Sequence, residues 1–239
     1  MISGFFISGT GTDVGKTLVT AGILRSLLAL GRSAMVMKPV QTGAVRGEDG
    51  SLSAPDVEYV LGAAWLRLDA ETLAHVSPRR FEPACSPHLA AQMAGESIGI
   101  PELIEHAEWL SARYTPLLVE GAGGLLAPIN ENETMLDLMV ALGMPVLLVG
   151  HSGLGAINHM LLSIEALRSR ELSIAGVILT ASAPIPAGDE YIHNDNVRTI
   201  ARFGQVPVLV QVPFLGSPPA LNILDNLFAS CAWIPGGTA

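Results

Sequence analysis

The chain has 239 residues, of which 49% are hydrophobic and only 15% charged, against ~25% charged in an ordinary soluble protein. Its 13 basic and 22 acidic side chains leave a formal net charge of −9, which excludes a broad nucleic-acid-binding face and disfavours docking on anionic lipid. So sparse a charged exterior implies that part of it is covered, and a second copy of the chain is the expected cover.

The first residues lack the basic segment of a secretory signal, so residues 2–8 read as a first strand. A glycine-rich loop spans 9–15, and helical spacing of apolar residues predicts a helix from Lys16 to Leu30, ended by Gly31. Ala34–Lys38 reads as a second strand, while 39–87 is irregular apart from a helix near Asp56–Ala64. Helices are expected at His88–Ala94, Glu102–Tyr114, Met135–Leu142, Ala156–Arg170 and Glu190–Phe203. Strands are expected at Leu117–Glu120, Val146–Gly150, Ala175–Thr180 and Val208–Val212.

The uncharged stretch from Leu138 to Ile164 is long enough to cross a bilayer. Its glycines, proline, histidines and asparagine instead break it into a helix end, a buried strand and a loop leading into another helix. Continuous apolar strands alternating with helices predict an α/β fold with a mostly parallel sheet and helices on both faces. One domain is expected over 1–239, with 216–239 the least defined part. Cys85 and Cys231 have no metal spacing and read as buried reduced thiols of a cytoplasmic protein.

In a parallel sheet, ligands bind beyond the carboxyl ends of the strands. The first such end carries Gly9-Thr10-Gly11-Thr12-Asp13-Val14-Gly15-Lys16-Thr17. Between a strand and a helix, this is the context of a phosphate loop: backbone N–H groups curl around anionic oxygens and the helix start adds its positive end. Lys16 is placed to reach β- and γ-phosphates, and the Thr17 hydroxyl to bind Mg²⁺. Gly9 stands one residue early for the usual spacing. A dinucleotide fingerprint fails, because Val14 replaces its third glycine and the second strand ends in Lys38 instead of an acid.

Lys38 is expected to face the crevice of Lys16, where two cations suit a triphosphate. Glu120, at the expected tip of its strand, and less strongly Asp56, are candidate Mg²⁺ carboxylates. The six histidines form no zinc pattern, and no nucleophile elbow is present. Nucleoside triphosphate and Mg²⁺ are the implied cofactors.

Five segments in order resemble the dethiobiotin synthetase family: Gly9–Thr17, Lys38-Pro39-Val40-Gln41-Thr42-Gly43, Ser86–Ala91, Val119–Gly124 and Gly153–His159. The resemblance runs from Phe6 to about Leu215, and the early Gly9 is itself part of that family's loop. It implies a single-domain P-loop NTPase fold and an ATP- and Mg²⁺-dependent ligase of biotin synthesis. Its substrates would be 7,8-diaminononanoate and CO₂, joined through a carbamate and a carbamic–phosphoric anhydride.

The resemblance assigns catalysis to Thr12, Lys16 and Lys38. Nucleotide contacts fall on Thr12, Asp13, Val14, Gly15, Lys16, Thr17, Leu18, Asp56, Glu120, Gly121, Ala122, Gly123, Thr180, Pro213, Phe214 and Leu215. Substrate contacts fall on Thr42, Leu154, Gly155 and Asn158, the last three reaching in from the neighbouring subunit of a homodimer. Thr17, Asp56 and Glu120 would hold the metal. Thr180 stands where the family has an asparagine on the adenine ring, so the choice of base is the expected point of difference. Sister ATPases that position septa and partition chromosomes share the fold but carry an early second lysine, where this chain has Thr10 and Gly11. A regulatory switch of that branch and a silent nucleotide-binding paralogue are the alternatives.

Overall fold

The structure is a computed structural model and describes residues 2–216 and 218–229. Its centre is a six-stranded sheet in the order β10-β9-β8-β1-β7-β2. The strands are β1 (Gly4–Gly9), β2 (Met35–Met37), β7 (Leu117–Gly124), β8 (Val146–His151), β9 (Ile174–Thr180) and β10 (Val208–Val212). Every pairing among them is parallel. Successive strand residues point to opposite faces. All six residues of β1, and the first five of β8, are buried, so both faces of the sheet are covered, as the apolar runs predict.

The helices expected from sequence are present, Met135–Leu142 with the expected bounds and the others with shifted ends. They are α1 (Lys16–Ala29), α2 (Pro55–Ala63), α4 (Pro87–Met93), α5 (Ile100–Ser111), α6 (Met135–Leu142), α7 (Ala156–Arg168) and α8 (Glu190–Gly204). Proline in the first turn fixes the starts of α2, α4 and α5. At α6, Thr134 and Asp137 form a reciprocal capping box. The backbone N–H of Thr134 and the Arg170 guanidinium hold the Asp137 carboxyl down at about 2.

The stretch expected to be irregular holds small elements. The strands β3 (Val40–Thr42) and β6 (Arg79–Phe81) pair in parallel, and β4 (Val45–Arg46) and β5 (Leu52–Ser53) pair antiparallel. Between them lies α3 (Ala70–Val76), capped by the Asp69 carboxylate on the Thr72 N–H at 2.7 Å. A further helix, α9 (Leu221–Ala229), crosses α1. There Gly22 leaves no room for a side chain: a Cβ would stand 2.7 Å from the ring of Phe228, which is fully buried. Beside this contact Arg25 grips Asp225 with both ends of its fork, at 2.7 and 2.6 Å. Its guanidinium also lies 4.5 Å above the ring of the exposed Trp65.

Among the described residues, no helix is long and apolar enough to cross a membrane. Cys85 corrects the buried-thiol expectation, since it is only half-buried and lines the cleft described next. Cys231 lies outside the described residues.

Candidate active site

The order of the sheet places the end of β1 between β7 and β8, at the middle of the carboxyl edge. The loop leaving it is held from below, where the Thr10 N–H donates to the Val149 carbonyl at 2.9 Å. Gly9 is obligatory, because a Cβ there would meet Val14 Cγ2 at 2.7 Å. Gly15 caps α1 with φ 89°, in the left-handed region. Lys16 folds back so that its Nζ donates to the Gly11 carbonyl at 2.7 Å. Burial, then the neighbouring Lys38 ammonium, push Lys16 down to about 8, although Glu120, Asp56 and Asp13 pull the other way.

β2 pairs with β7 in register Met37↔Val119. The next residue of each, Lys38 just past the end of β2 and Glu120 within β7, therefore stand side by side. Lys38 Nζ donates to Glu120 Oε1 at 2.7 Å and meets Asp56 Oδ2 at 2.7 Å. The same Glu120 oxygen accepts the Thr17 hydroxyl at 2.8 Å. Burial alone would lower the Lys38 ammonium, but the Glu120 and Asp56 carboxylates outweigh it and hold the group above the ordinary lysine value. Asp56 lies in the first turn of α2, so it is both a helix-start acid and a partner of Lys38.

One expectation about Glu120 is corrected. It is not at a strand tip, because β7 continues to Gly124, pairing again with β1 at Gly9 after a shift of register. Glu120 lies opposite Ile7 inside the sheet and is 1% exposed.

These groups share a cavity of about 1150 Å³. Of the residues selected from sequence, Thr12, Asp13, Gly15, Lys16, Thr17, Lys38, Thr42, Asp56, Glu120, Ala122 and Gly123 line it. Val14 is buried behind the loop, Leu18 is half-buried, and the Gly121 carbonyl lies 3.4 Å from Lys38 Nζ. Sequence reasoning missed Gln41, Cys85 and Ser86, although two of these stand inside quoted motifs. It also missed an apolar wall that includes Leu125, Leu126 and, from α7, Leu162.

The other selected residues lie elsewhere. Leu154, Gly155 and Asn158 are exposed at the start of α7 and do not line this cavity. Their loop is gripped from α8, where the Asn196 amide donates to the carbonyls of Ser152 and Gly153, both at 2.8 Å. His193 Nδ1 meets the Ser152 hydroxyl at 2.8 Å. Neither α8 residue carried a sequence signal, because polar residues on a helix ordinarily face water.

Pro213 lines a second cavity of about 390 Å³, together with Ala181, Glu190, His193 and Gln211. Phe214, 38% exposed, and the buried Leu215 do not. Thr180 is the clearest departure from expectation. It lines neither cavity, and its hydroxyl donates to the Val14 carbonyl at 2.8 Å.

Among the described residues, no three or more His, Cys, Asp or Glu side chains converge as a metal cage. The Thr17 hydroxyl and Glu120 carboxylate do present two oxygens 2.8 Å apart. That separation is the hydrogen bond between them; as hard oxygen donors, a hydroxyl and a carboxylate are of the type that Mg²⁺ takes.

Residues 3–217 match the sequence profile of the AAA domain. An ATP-dependent dethiobiotin synthetase BioD of Anaeromyxobacter sp. (strain K) is 41% identical over 181 residues, 76% of this chain and 78% of that protein. A protein of the same name from Caulobacter vibrioides (strain NA1000 / CB15N) is 38% identical over 226 residues, 94% of this chain and 98% of that one. Another, from Halalkalibacterium halodurans, is 36% identical over 236 residues, covering 95% and 90%. The solved MinC:MinD cell division protein complex of Aquifex aeolicus superposes with a TM-score of 0.56 at 15% identity, covering 97% of this chain and 93% of that chain. Identity that low speaks for the fold alone.

Proposed function

This chain belongs to the ATP-dependent dethiobiotin synthetase family, and we propose that its cleft closes the ureido ring of dethiobiotin from 7,8-diaminononanoate, CO₂ and ATP. One amine of the diamine takes up CO₂ as a carbamate, losing a proton. A carbamate oxygen attacks the γ-phosphorus, and ADP leaves. The second amine attacks the carbonyl carbon of the resulting anhydride, inorganic phosphate departs with the bonding pair, and a proton is released.

The observation that carries this reading is the convergence of Lys16, Thr17, Lys38, Asp56 and Glu120 on one cleft beside the loop at 9–15. Loop N–H groups from Thr12 to Leu18 cradle the phosphates. Lys16 leaves its carbonyl partner for the β- and γ-oxygens, and Thr12 lies against the γ-phosphate. Lys38 neutralises charge shared between carbamate and transferring phosphoryl group, and Thr42 orients the reacting amine or carbamate. Such contacts count for most when aimed where charge develops. Thr17 and Glu120, with Asp56, would hold Mg²⁺, which when bound offsets charge on the phosphates. Gly121, Ala122 and Gly123 floor the site. The second cavity beside Pro213 is where the base lies, near the backbone of Phe214 and Leu215.

We further propose a homodimer in which Leu154, Gly155 and Asn158 of one subunit complete the cleft of the other. The exposed apolar residues Leu126 and Leu162 of the cleft wall, at 64% and 62% exposure, and Leu154 just before α7, at 95%, support a covering copy. Residues 1–239 act as one domain, and dependence on ATP fits a cytoplasmic enzyme.

The test is incubation of the purified chain with the diamine, bicarbonate, Mg²⁺ and ATP, with mass detection of the cyclic urea. ATP hydrolysis without that product would identify a switch, ATP binding without turnover a silent paralogue, and either would overturn the proposal.

A further inference from the structure

Thr180 is the last residue of β9, and its place is fixed from both sides. Its carbonyl accepts the Ser152 N–H at 2.9 Å, and the following N–H, that of Ala181, donates to Val212 at 2.9 Å. The side chain is 4% exposed and lies directly under the phosphate loop. A Cβ added to Gly15 would stand 3.1–3.4 Å from its Cγ2, Oγ1 and Cβ.

A threonine hydroxyl has one proton to give. Here it goes to the Val14 carbonyl, 166 residues away in sequence, at 2.8 Å. The alternative acceptor, the Gly150 carbonyl, is at 3.5 Å. The peptide between Val14 and Gly15 is trans. In a planar trans peptide the carbonyl and the N–H point in opposite directions. Holding the Val14 carbonyl down on Thr180 therefore turns the Gly15 N–H away from it, to the side where Gly15, Lys16 and Thr17 line the cleft. Gly15, with its left-handed φ of 89°, tolerates either orientation of that peptide more readily than any other residue would. Something outside the loop has to choose.

We propose that Thr180 makes this choice: it is a positioning residue that aims the Gly15 N–H at the phosphates and takes no part in reading the base. The proposal rests on the reading of residues 9–17 as a triphosphate site. It predicts a base-independent role, because its partner is the loop common to every triphosphate.

The test is titration calorimetry with the Mg²⁺ complexes of ATP, GTP, CTP and inorganic tripolyphosphate. Thr180→Val keeps the shape and removes the proton. It should weaken all four ligands alike, by about 10-fold, the factor equivalent to 1.4 kcal/mol. Thr180→Ser keeps the proton and should recover most of that loss. Loss of ATP affinity with tripolyphosphate unaffected would make Thr180 a base contact and overturn the proposal. A lower melting temperature with no loss of anion affinity would reduce its role to core packing and overturn the proposal as well. Should Thr180→Val fail to fold, Thr180→Ser still decides, since a large loss there would put the role on the methyl group and not on the hydroxyl. If the unsubstituted protein binds none of the four, the site reading falls too. Normal binding by Thr180→Val overturns the positioning role alone.

Discussion

Lys38 and Glu120 are 82 residues apart in sequence, yet their side chains meet at 2.7 Å with only 5% and 1% of their surfaces exposed. The register of two neighbouring strands brings them together, and neither has bulk water as an alternative partner. Removing one member of a buried pair strands the other, which typically costs about 3–5 kcal/mol. Lys38→Met should therefore destabilise the chain strongly. The double variant Lys38→Met/Glu120→Gln should recover a substantial part of the loss. Denaturant melts of Lys38→Met, Glu120→Gln and the double variant measure the coupling. Simple additivity would mean that the pair is not energetically joined. In turnover, Lys38→Gln should lower kcat far more than it raises the KM for ATP, as expected of a contact made mainly in the transition state.

Lys16 gives a proton-uptake prediction. Its folded value of about 8 lies below the 10.5 of a free lysine. The unfolded chain therefore holds this proton to higher pH than the folded one. The contribution of Lys16 to the stability of the ligand-free chain is lowest below about pH 8 and rises as pH climbs from about 8 to about 10.5. Triphosphate beside the ammonium should draw the proton back. Binding ATP at pH 8 should take up about half a proton, and at pH 6.5 almost none from this group. Calorimetry in buffers of different ionisation enthalpy reads the number directly. Lys16→Ala should abolish the uptake and reduce turnover by ~10²–10³.

The proposed sharing of the site between two subunits predicts complementation. Lys38→Gln and Asn158→Ala chains, each inactive alone, should regain activity when mixed, because mixed dimers hold one intact site. Activity recovered after verified subunit exchange is the readout. Its absence would count against contributions from both subunits.

Phe228→Ala should cost about 3–5 kcal/mol, the usual range for emptying a buried aromatic site, seen as a lower melting temperature. Gly22→Ala should also destabilise, because its new methyl would meet the Phe228 ring at 2.7 Å. Gly22→Ala combined with Phe228→Ala should be less damaging than the sum of the two.

The sheet was legible because fully buried strands must be apolar and helices must alternate with them. The phosphate loop was legible because its backbone demands glycine at fixed places and its chemistry demands Lys16 and Thr17. Sequence was silent wherever position depends on a distant partner. β3 and β6 are three residues each and exist by pairing with one another across 39 positions of register, Val40 on Arg79. Glu120 looked like a strand tip because Gly121–Gly124 read as a loop, whereas pairing with β1 extends the strand. Thr180 invites assignment to the base because the resembling family carries an asparagine there on the adenine ring, and only the contact with Val14 shows where its proton goes. The helix α9 needed the notch at Gly22 to become visible.

The joint between α1 and α9 carries its own optical probe. Trp65 is 82% exposed and lies under the Arg25 guanidinium, which in turn is chelated by Asp225. Arg25 belongs to the same rigid helix whose first two residues are Lys16 and Thr17. An indole stacked on a cation changes its emission when that cation shifts. With Trp109→Phe and Trp233→Phe, Trp65 is the last of the three tryptophans of the chain. Its fluorescence then reports any displacement of α1 on nucleotide binding, from a position that touches none of the reactants.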